Sequence, residues 1–360
     1  MHDVIVVGAG PAGSRFARRA ASDGHDILVF EQGEIGEPLA CSGHVSTDVL
    51  EFVPPDDRDK LRQNEIYGAR FHLGGPASRA YPFYKDEVVS RVIDRVELDR
   101  TLARAASEAG ADVRDGHTVT DVEERDDSVV VTVSGPDGVE THQSRMVAGC
   151  DGPQSRVRDA VSLPEPDELL HGVLGFDDDP DDGDFVDVHL TVPRFFAWRI
   201  PRGDAGVEYG LAVPPGEAAG DRFEAFTDSY GVETDRRCSG LIPIGPPDSV
   251  TSERTFLLGD AAAQTKPFTG GGIRYGMTAA DHAAREIDPT DPSTLAAYER
   301  AWRRDLGREI SLGSWVRRGY SFPAPLQRVG LGLLAGEIGV HMDEPSSLFS
   351  REQLAALRSR

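Results

Sequence analysis

The sequence predicts an α/β fold joined to a second, antiparallel sheet and a helical C-terminal region, and three observations carry that prediction. The chain opens on a short β-branched run that leads straight into Gly8-Ala9-Gly10-Pro11-Ala12-Gly13 and then a helical pattern. Two later apolar runs, 146–150 and 255–258, end in the acid-bearing turns Asp151-Gly152 and Gly259-Asp260. Between and beyond them lie stretches that alternate polar and apolar residues, the period of half-exposed strands.

The opening unit is a Rossmann-like nucleotide frame. Residues 2–7 form the first strand. Phe16, Ala17, Ala20 and Ala21 recur at helical spacing, and Asp23-Gly24-His25 ends that helix before the second strand, 27–30. Gly8 makes the tight turn, Gly10 lets a pyrophosphate approach the backbone, and Gly13 lets helix and strand pack closely, with Ala12 between them. The helix N-terminus then faces the phosphates with its partial positive charge. Glu31, closing the second strand, is positioned to accept hydrogen bonds from ribose hydroxyls, which disfavours a 2′-phosphate there. These residues predict a dinucleotide site without choosing between FAD and NAD.

Two later segments make that choice. Met146-Val147-Ala148-Gly149-Cys150-Asp151-Gly152 is followed by Ser155 and Arg158, and Thr255-Phe256-Leu257-Leu258-Gly259-Asp260 is followed by Pro267-Phe268-Thr269-Gly270-Gly271-Gly272-Ile273. With the opening motif, this trio resembles the flavoprotein group that includes para-hydroxybenzoate hydroxylase and the geranylgeranyl reductases. The resemblance implies FAD, with the Asp260 carboxylate on the ribityl and pyrophosphate region and Gly271, Gly272 and Ile273 beside the isoalloxazine. A helix starting there aims its dipole at the ring and stabilises the anionic reduced flavin. The segment 92–99 also resembles the family and brings Arg95 to the flavin; from the residues alone, Asp94 and Glu97 read also as a helix start with Arg95 solvated. Residues 118–124, 128–133 and 140–147, with a turn at Gly135-Pro136-Asp137-Gly138, form a β-meander insertion. The resemblance sets Val119 beside the adenine.

The predicted organisation is therefore a discontinuous FAD-binding domain (1–66, 85–162 and 242–290), a substrate-binding antiparallel sheet (67–84 and 163–241) and a helical region (291–360). The sheet carries Pro193-Arg194-Phe195-Phe196-Ala197-Trp198-Arg199-Ile200-Pro201, which resembles the P-x-x-Y-x-W-x-F-P signature of geranylgeranyl reductases, with Phe196 for Tyr and Ile200 for Phe. Strand alternation sends Phe196, Trp198 and Ile200 to one face, and the resemblance implies that this face lines an isoprenoid cavity. Glu37-Pro38-Leu39-Ala40-Cys41-Ser42-Gly43-His44 matches the family's Cys-x-Gly loop, which puts Cys41, Ser42 and Gly43 near the flavin and makes Cys41 the catalytic candidate. A small buried filler is the other reading of Cys41. His44 reads as structural, and Cys150 and Cys238 as inert. The apolar segment 329–336 has glycines at the wrong spacing for a second nucleotide site; it packs as an ordinary helix, caps the cavity or touches a bilayer. The resemblance covers residues 1–280 well and the remainder poorly.

Composition narrows the setting. A net charge of −23, with 61 acidic against 38 basic residues, excludes nucleic acid as a partner, because phosphates are repelled, and disfavours steering towards anionic headgroups. Lys60, Lys85 and Lys266 are the only lysines, and acids cluster in runs such as 177–182, a pattern expected of a halophile. Three widely spaced cysteines give neither a disulfide framework nor a metal site. The first strand leaves no room for a leader, and no run is long enough to span a bilayer, so the expected setting is the cytoplasm, with peripheral membrane contact left open.

The expected activity is reduction of carbon-carbon double bonds in an isoprenoid lipid or prenylquinone, with hydride from the flavin N5. The electron donor stays open between NAD(P)H and ferredoxin, and the proton donor between Cys41 and an ordered water. The rival readings are an FAD monooxygenase of a small aromatic or terpenoid and a flavin-bound lipid or quinone carrier without chemistry.

Overall fold

The computed structural model describes residues 1–37, 41–337 and 343–349. At the centre of the nucleotide half, His2–Val7 runs parallel to Ile27–Phe30 on one side and to the end of Gly138–Gly149 on the other. Asp112–Arg114 and Thr255–Leu257 extend this parallel core outward. Ile5, Leu28, Val147 and Phe256 are fully buried, as expected of parallel strands covered on both faces.

The meander is not a separate layer. The first half of Gly138–Gly149 pairs antiparallel with Val129–Gly135, which in turn pairs with Thr118–Glu124. Ser144 is the handover point, opposite His2 on one side and Val129 on the other. One long strand thus carries both the parallel frame and its insertion. Val129, Val131 and Val133 alternate into the core, the period-2 pattern that fixes register.

Helices Pro11–Ser22 and Ile273–Glu286 pack together over this sheet. They approach closely at small residues: a Cβ on Gly276 would lie 3.0 Å from Gly259 Cα and 3.3 Å from Ala12 Cβ. Ala12 therefore has a packing reason for its size.

The second sheet has eight strands in the order Arg236–Ile244, Glu168–Asp177, Val207–Val213, Ala197–Pro201, Phe185–His189, Gly68–His72, Ala80–Tyr84 and Gly336–Glu337. Its neighbours are antiparallel except where Gly68–His72 meets Phe185–His189 and where Gly336–Glu337 joins Ala80–Tyr84. Three features depart from the sequence reading. A helix, Ala219–Tyr230, interrupts the stretch expected to be strands; its C-cap Gly231 is left-handed, and Phe223 and Phe226 face the sheet. The last strand runs to Ile244, so the expected boundary at 241/242 falls inside it. A small three-stranded sheet, His44–Ser46, Ser90–Ile93 and Arg62–Ile66, links the two halves.

The faces of the second sheet are sorted by alternation. Val207, Tyr209, Leu211 and Val213 pack under the helix Ala219–Tyr230, whereas Phe195, Phe196, Ile200, Ala212 and Ile244 form an apolar cluster on the opposite, inner face. Beyond the sheet, helix Leu295–Arg318 buries Tyr298, Trp302, Leu306 and Ile310. Helix Ala324–Leu334 buries none of its residues. Among the described residues, no helix is long and apolar enough to cross a membrane.

Candidate active site

The glycine turn is built from contacts that admit no side chain. Gly8 has φ +101°, and a Cβ there would sit 2.4 Å from the Cys150 carbonyl oxygen; a Cβ on Gly13 would sit 2.0 Å from the Gly8 oxygen. At Gly10 the same construction meets nothing within 4 Å, so the turn is crowded on its inner side and open on its outer side. Gly10 is also the N-cap of the helix Pro11–Ser22 and offers no side-chain cap, leaving the first-turn N–H groups to an external acceptor. Glu31 braces the turn: its Oε2 accepts from Ala9 N at 2.7 Å and its Oε1 from Gln32 N at 2.9 Å. The part-buried, charge-assisted bond to Ala9 is worth about 1.5–3 kcal/mol, and the exposed one to Gln32 less.

The two acid-bearing turns do different work. Asp151 caps locally, accepting from Ser155 Oγ at 2.6 Å and Val157 N at 3.1 Å, while buried Arg158 donates to the carbonyls of Pro153 (3.1 Å) and Ala261 (3.4 Å). The first turn is thereby tied to the second. Gly259, at φ +63°, donates to Gln264 Oε1 at 2.8 Å, and Gln264 in turn donates to Tyr298 Oη at 2.9 Å. That closed loop frees the Asp260 carboxylate to lie against Gly272, where a Cβ would come within 2.6 Å of Oδ1. Burial pushes the Asp260 carboxyl up to about 6, against the pull of Arg95.

Arg95 is not solvated. Asp94 does cap the helix Arg95–Glu108, accepting from Glu97 N at 3.0 Å, but the Arg95 side chain turns inward and pairs with Asp99. Burial opposes its charge, yet Asp99 and Cys41 outweigh burial and hold the guanidinium protonated. Cys41 is half-buried and Arg95 sits beside it, so a fixed positive charge stands next to the sulfur. Ser42 Oγ accepts from His44 N at 3.2 Å. Gly43, at φ +71°, lies so close to the Ile93 carbonyl that a Cβ would be 2.4 Å away. Pro38, Leu39 and Ala40 of this loop lie outside the described residues. Cys150 packs beneath the glycine turn, and Cys238 is pushed up to about 11 by burial and then by Glu208.

A buried polar cluster adjoins the glycine loop, and sequence reasoning missed it. Lys266 Nζ pairs with Asp343, which also accepts from Ser46 Oγ, and the Asp343 carbonyl accepts from Tyr275 Oη at 2.7 Å. A Cβ on Gly271 would lie 3.1 Å from Lys266 Nζ, so the ammonium sits directly under the loop. His44 bonds through Nε2 to Ser90 Oγ at 2.7 Å. Burial and then the Lys266 charge push His44 down to about 4, so its imidazole is neutral near pH 7. The available signal was Lys266 itself, one of three lysines in the chain, immediately before Pro267.

The aromatic segment meets this loop. Phe195 and Phe196 stack at 4.4 Å, and Phe196 meets Trp198 edge-on at 5.7 Å; Phe196, Trp198 and Ile200 share the inner apolar cluster. A Cβ on Gly270 would stand 3.2 Å from Phe195 Cζ and 3.2 Å from Ile242 Cγ2. Trp198 lies across Gly210 and donates through Nε1 to Glu208 Oε1 at 2.8 Å. Glu208 is fully buried; burial pushes its carboxyl up to about 8, with Arg202, 3.6 Å away, opposing. A cavity of about 250 Å³ bounded by His189, Ala197, Leu211 and Phe226 opens on the other face of the sheet, away from this wall.

Most of the expected residues thus converge: the turn with Glu31, the loop Cys41–Gly43, Arg95, Asp260 and the segment 271–273 on one side, and the aromatic wall on the other. Ile273 begins the helix Ile273–Glu286 behind the uncapped Gly272. Val119 lies two residues after His117, whose N donates to the Glu31 carbonyl at 2.8 Å; its side chain is in the sheet core and its carbonyl accepts from Arg156 Nη1 at 3.2 Å. The chain fits FAD on its own chemistry. Two uncapped helix N-termini, at Gly10 and Gly272, suit a diphosphate and an anionic ring. Arg95 Nε and Thr269 Oγ1 are buried without a hydrogen-bond partner among the described residues. Among those residues there is no metal-binding cluster.

Comparison with known proteins agrees with this geometry. Residues 1–229 match the FAD binding domain family. Digeranylgeranylglycerophospholipid reductase 2 of Methanothermobacter thermautotrophicus is 30 % identical over 338 residues, covering 86 % of this chain and 85 % of the relative. Its namesake from Methanopyrus kandleri is 32 % identical over 337 residues, covering 85 % and 83 %. Among solved structures, a geranylgeranyl bacteriochlorophyll reductase-like protein from Thermoplasma acidophilum superposes with a TM-score of 0.84 at 21 % identity, covering 100 % of this chain and 96 % of its own. A flavin-dependent halogenase shares the fold at a TM-score of 0.72 and 21 % identity, covering 99 % of this chain and 76 % of its own.

Proposed function

The chain belongs to the FAD binding domain family and, within it, to the digeranylgeranylglycerophospholipid reductases, and from that premise we propose that it saturates carbon-carbon double bonds in geranylgeranyl chains of a glycerophospholipid. The observation that carries the reading is the contact at Gly270, where the loop fitted to the flavin abuts Phe195 and Ile242 of the apolar wall. Bound FAD supplies hydride-transfer chemistry. An unactivated alkene has no carbonyl to polarise, so the protein's share is alignment, exclusion of water and a timed proton.

The residues divide that work. Gly8, Gly10, Gly13 and Glu31 hold the dinucleotide, and Asp260 and Arg95 set the charge around the middle of the cofactor. Phe196, Trp198 and Ile200 hold the hydrocarbon flat against the ring, and we assign proton delivery to Cys41. The electron donor in this reading is NAD(P)H or a ferredoxin, and the acid-rich surface is an adaptation to a salt-rich cytoplasm. Anaerobic incubation of the reduced holoprotein with geranylgeranyl glycerophospholipid, followed by mass spectrometry, tests the proposal. A gain of two hydrogens per saturated bond supports it, whereas unchanged lipid, or turnover only with incorporation of oxygen, refutes it.

A further inference from the structure

The segment that leads away from the apolar wall has a composition unlike the rest of the chain. Between Glu309 and Glu337 there is no aspartate or glutamate, in a protein of net charge −23, and the charged residues present are Arg317, Arg318 and Arg328. Arg317 is paired with Glu168 at 2.8 Å. Arg318 and Arg328 are exposed and have no ion pair among the described residues; Arg318 stacks over Trp315 at 4.3 Å.

The same segment exposes apolar side chains on one stripe. Phe322, Leu326, Val329 and Leu333 follow each other at helical spacing and are 50–67 % exposed, as is Trp315 on the preceding helix. Gln327, on a different face, donates to the carbonyls of Gly319 and Tyr320 at 3.2 and 3.0 Å, which orients the helix Ala324–Leu334 with the stripe outward. Tyr320 connects this surface to the interior: its hydroxyl donates to the Phe268 carbonyl at 2.8 Å, and its ring meets Phe196 at 5.7 Å. After the helix, Gly336–Glu337 joins the edge of the second sheet.

We infer that Trp315, Phe322 and the outward stripe of helix Ala324–Leu334 form a docking surface for a lipid bilayer containing anionic headgroups. A short amphipathic helix with apolar residues on one face and arginines at its margin lies in the plane of such an interface. The remote carboxylates do not prevent this, since their field is screened beyond about 8 Å at ordinary ionic strength and over a shorter range in more salt, and the segment itself carries no acid between Glu309 and Glu337. Each exposed arginine adds attraction to the headgroups. The inference extends the reductase reading, because a glycerophospholipid substrate resides in a bilayer and Tyr320 joins the docking face to the aromatic wall at Phe196.

The test is flotation of the FAD-loaded full chain with vesicles of phosphatidylglycerol or of phosphatidylcholine. The wild type floats with phosphatidylglycerol, and the triple variant Leu326→Glu, Val329→Glu, Leu333→Glu loses at least about tenfold in bound fraction. FAD content and thermal midpoint stay unchanged because these side chains contact solvent. The double variant Arg318→Ser, Arg328→Ser weakens binding to phosphatidylglycerol by roughly tenfold and leaves phosphatidylcholine binding alone. The triple variant still reduces a short, water-soluble prenyl alcohol but turns over vesicle-embedded lipid poorly. Failure of the wild type to float on either vesicle overturns the inference, as does a dimer that the triple variant abolishes without any vesicle binding. If flotation behaves as described but no prenyl compound is reduced, the docking surface stands and the reductase reading fails.

Discussion

Gly270 and Phe195 are in direct register: a Cβ at Gly270 would come within 3.2 Å of Phe195 Cζ, so backbone meets aromatic ring with no side chain between them. Gly270 also has φ +74°, a conformation that costs an L-residue about 1–2 kcal/mol. Gly270→Ala should therefore destabilise the protein by roughly 1–3 kcal/mol through strain and overpacking. Adding Phe195→Leu should cost less than the sum of the single changes, because the smaller side chain yields room. Denaturant unfolding of the four proteins in the cycle reads this; full additivity would mean that the two residues do not touch.

Cys41→Ser should retain FAD at the wild-type stoichiometry and lower turnover of geranylgeranyl lipid by about a hundredfold, the scale of a lost proton-transfer group. Unchanged turnover would return Cys41 to the role of a small filler beside Arg95. Flavin absorbance and product mass, measured on the same preparation, separate loss of cofactor from loss of chemistry.

His44 should make the fold sensitive to mild acid. Its folded pKa, about 4, lies below the unfolded value of 6.5, so protonation favours unfolding. The stability involved is complete above pH 6.5 and is lost as pH falls towards 4, amounting to at most about 3 kcal/mol. Asp343 titrates in a lower window, since Lys266 and its hydrogen bonds outweigh burial and hold its carboxyl below 3.8. Thermal midpoints of wild type and His44→Asn, compared between pH 7 and pH 4, should converge with acid; parallel curves would show that His44 titrates normally.

Glu208 should act with the opposite sign. Its folded pKa, about 8, lies above the unfolded value of 4.5, so the stability it confers is full below pH 4.5 and is lost as pH rises through 8. Glu208→Gln keeps an acceptor for Trp198 Nε1 and removes the titration. It should gain on the wild type by about 3 kcal/mol between pH 5 and pH 8, read from denaturant unfolding. A constant difference across that range would mean an ionised carboxylate paired with Arg202.

The glycine turn, the two acid-bearing turns and the aromatic wall were legible in the sequence because each is local. Gly13 is forced by the Gly8 oxygen within one strand-turn-helix unit, and Trp198 and Ile200 follow from strand alternation, whereas Gly8 is held glycine by the distant Cys150 carbonyl and Phe196 precedes the strand, stacked on Phe195. The Lys266–Asp343 pair was not legible, since its partners are far apart in sequence and neither belongs to a periodic pattern. His44 read as an ordinary loop residue, and only the fold reveals that Ser90 and Lys266 enclose it. The helix Ala219–Tyr230 was hidden because Phe223, Phe226 and Tyr230 are its few large apolar residues among Asp221, Arg222, Glu224 and Asp228, too sparse a stripe to stand out between the flanking strands. Arg95 shows the converse: Asp94 signals the helix start and Asp99 stands at i,i+4 on the same helix, but that pair reads equally as a solvated one, and its burial beside Cys41 depends on the fold.

In the proposed reaction the flavin site and the oily wall act on one alkene. Stopped-flow mixing of the pre-reduced holoprotein with geranylgeranyl lipid, with oxygen rigorously removed, tests it most directly. The yellow absorbance of oxidised flavin should return in step with bond saturation. A flavin that stays reduced in the presence of the lipid and reoxidises only when oxygen is admitted would contradict it.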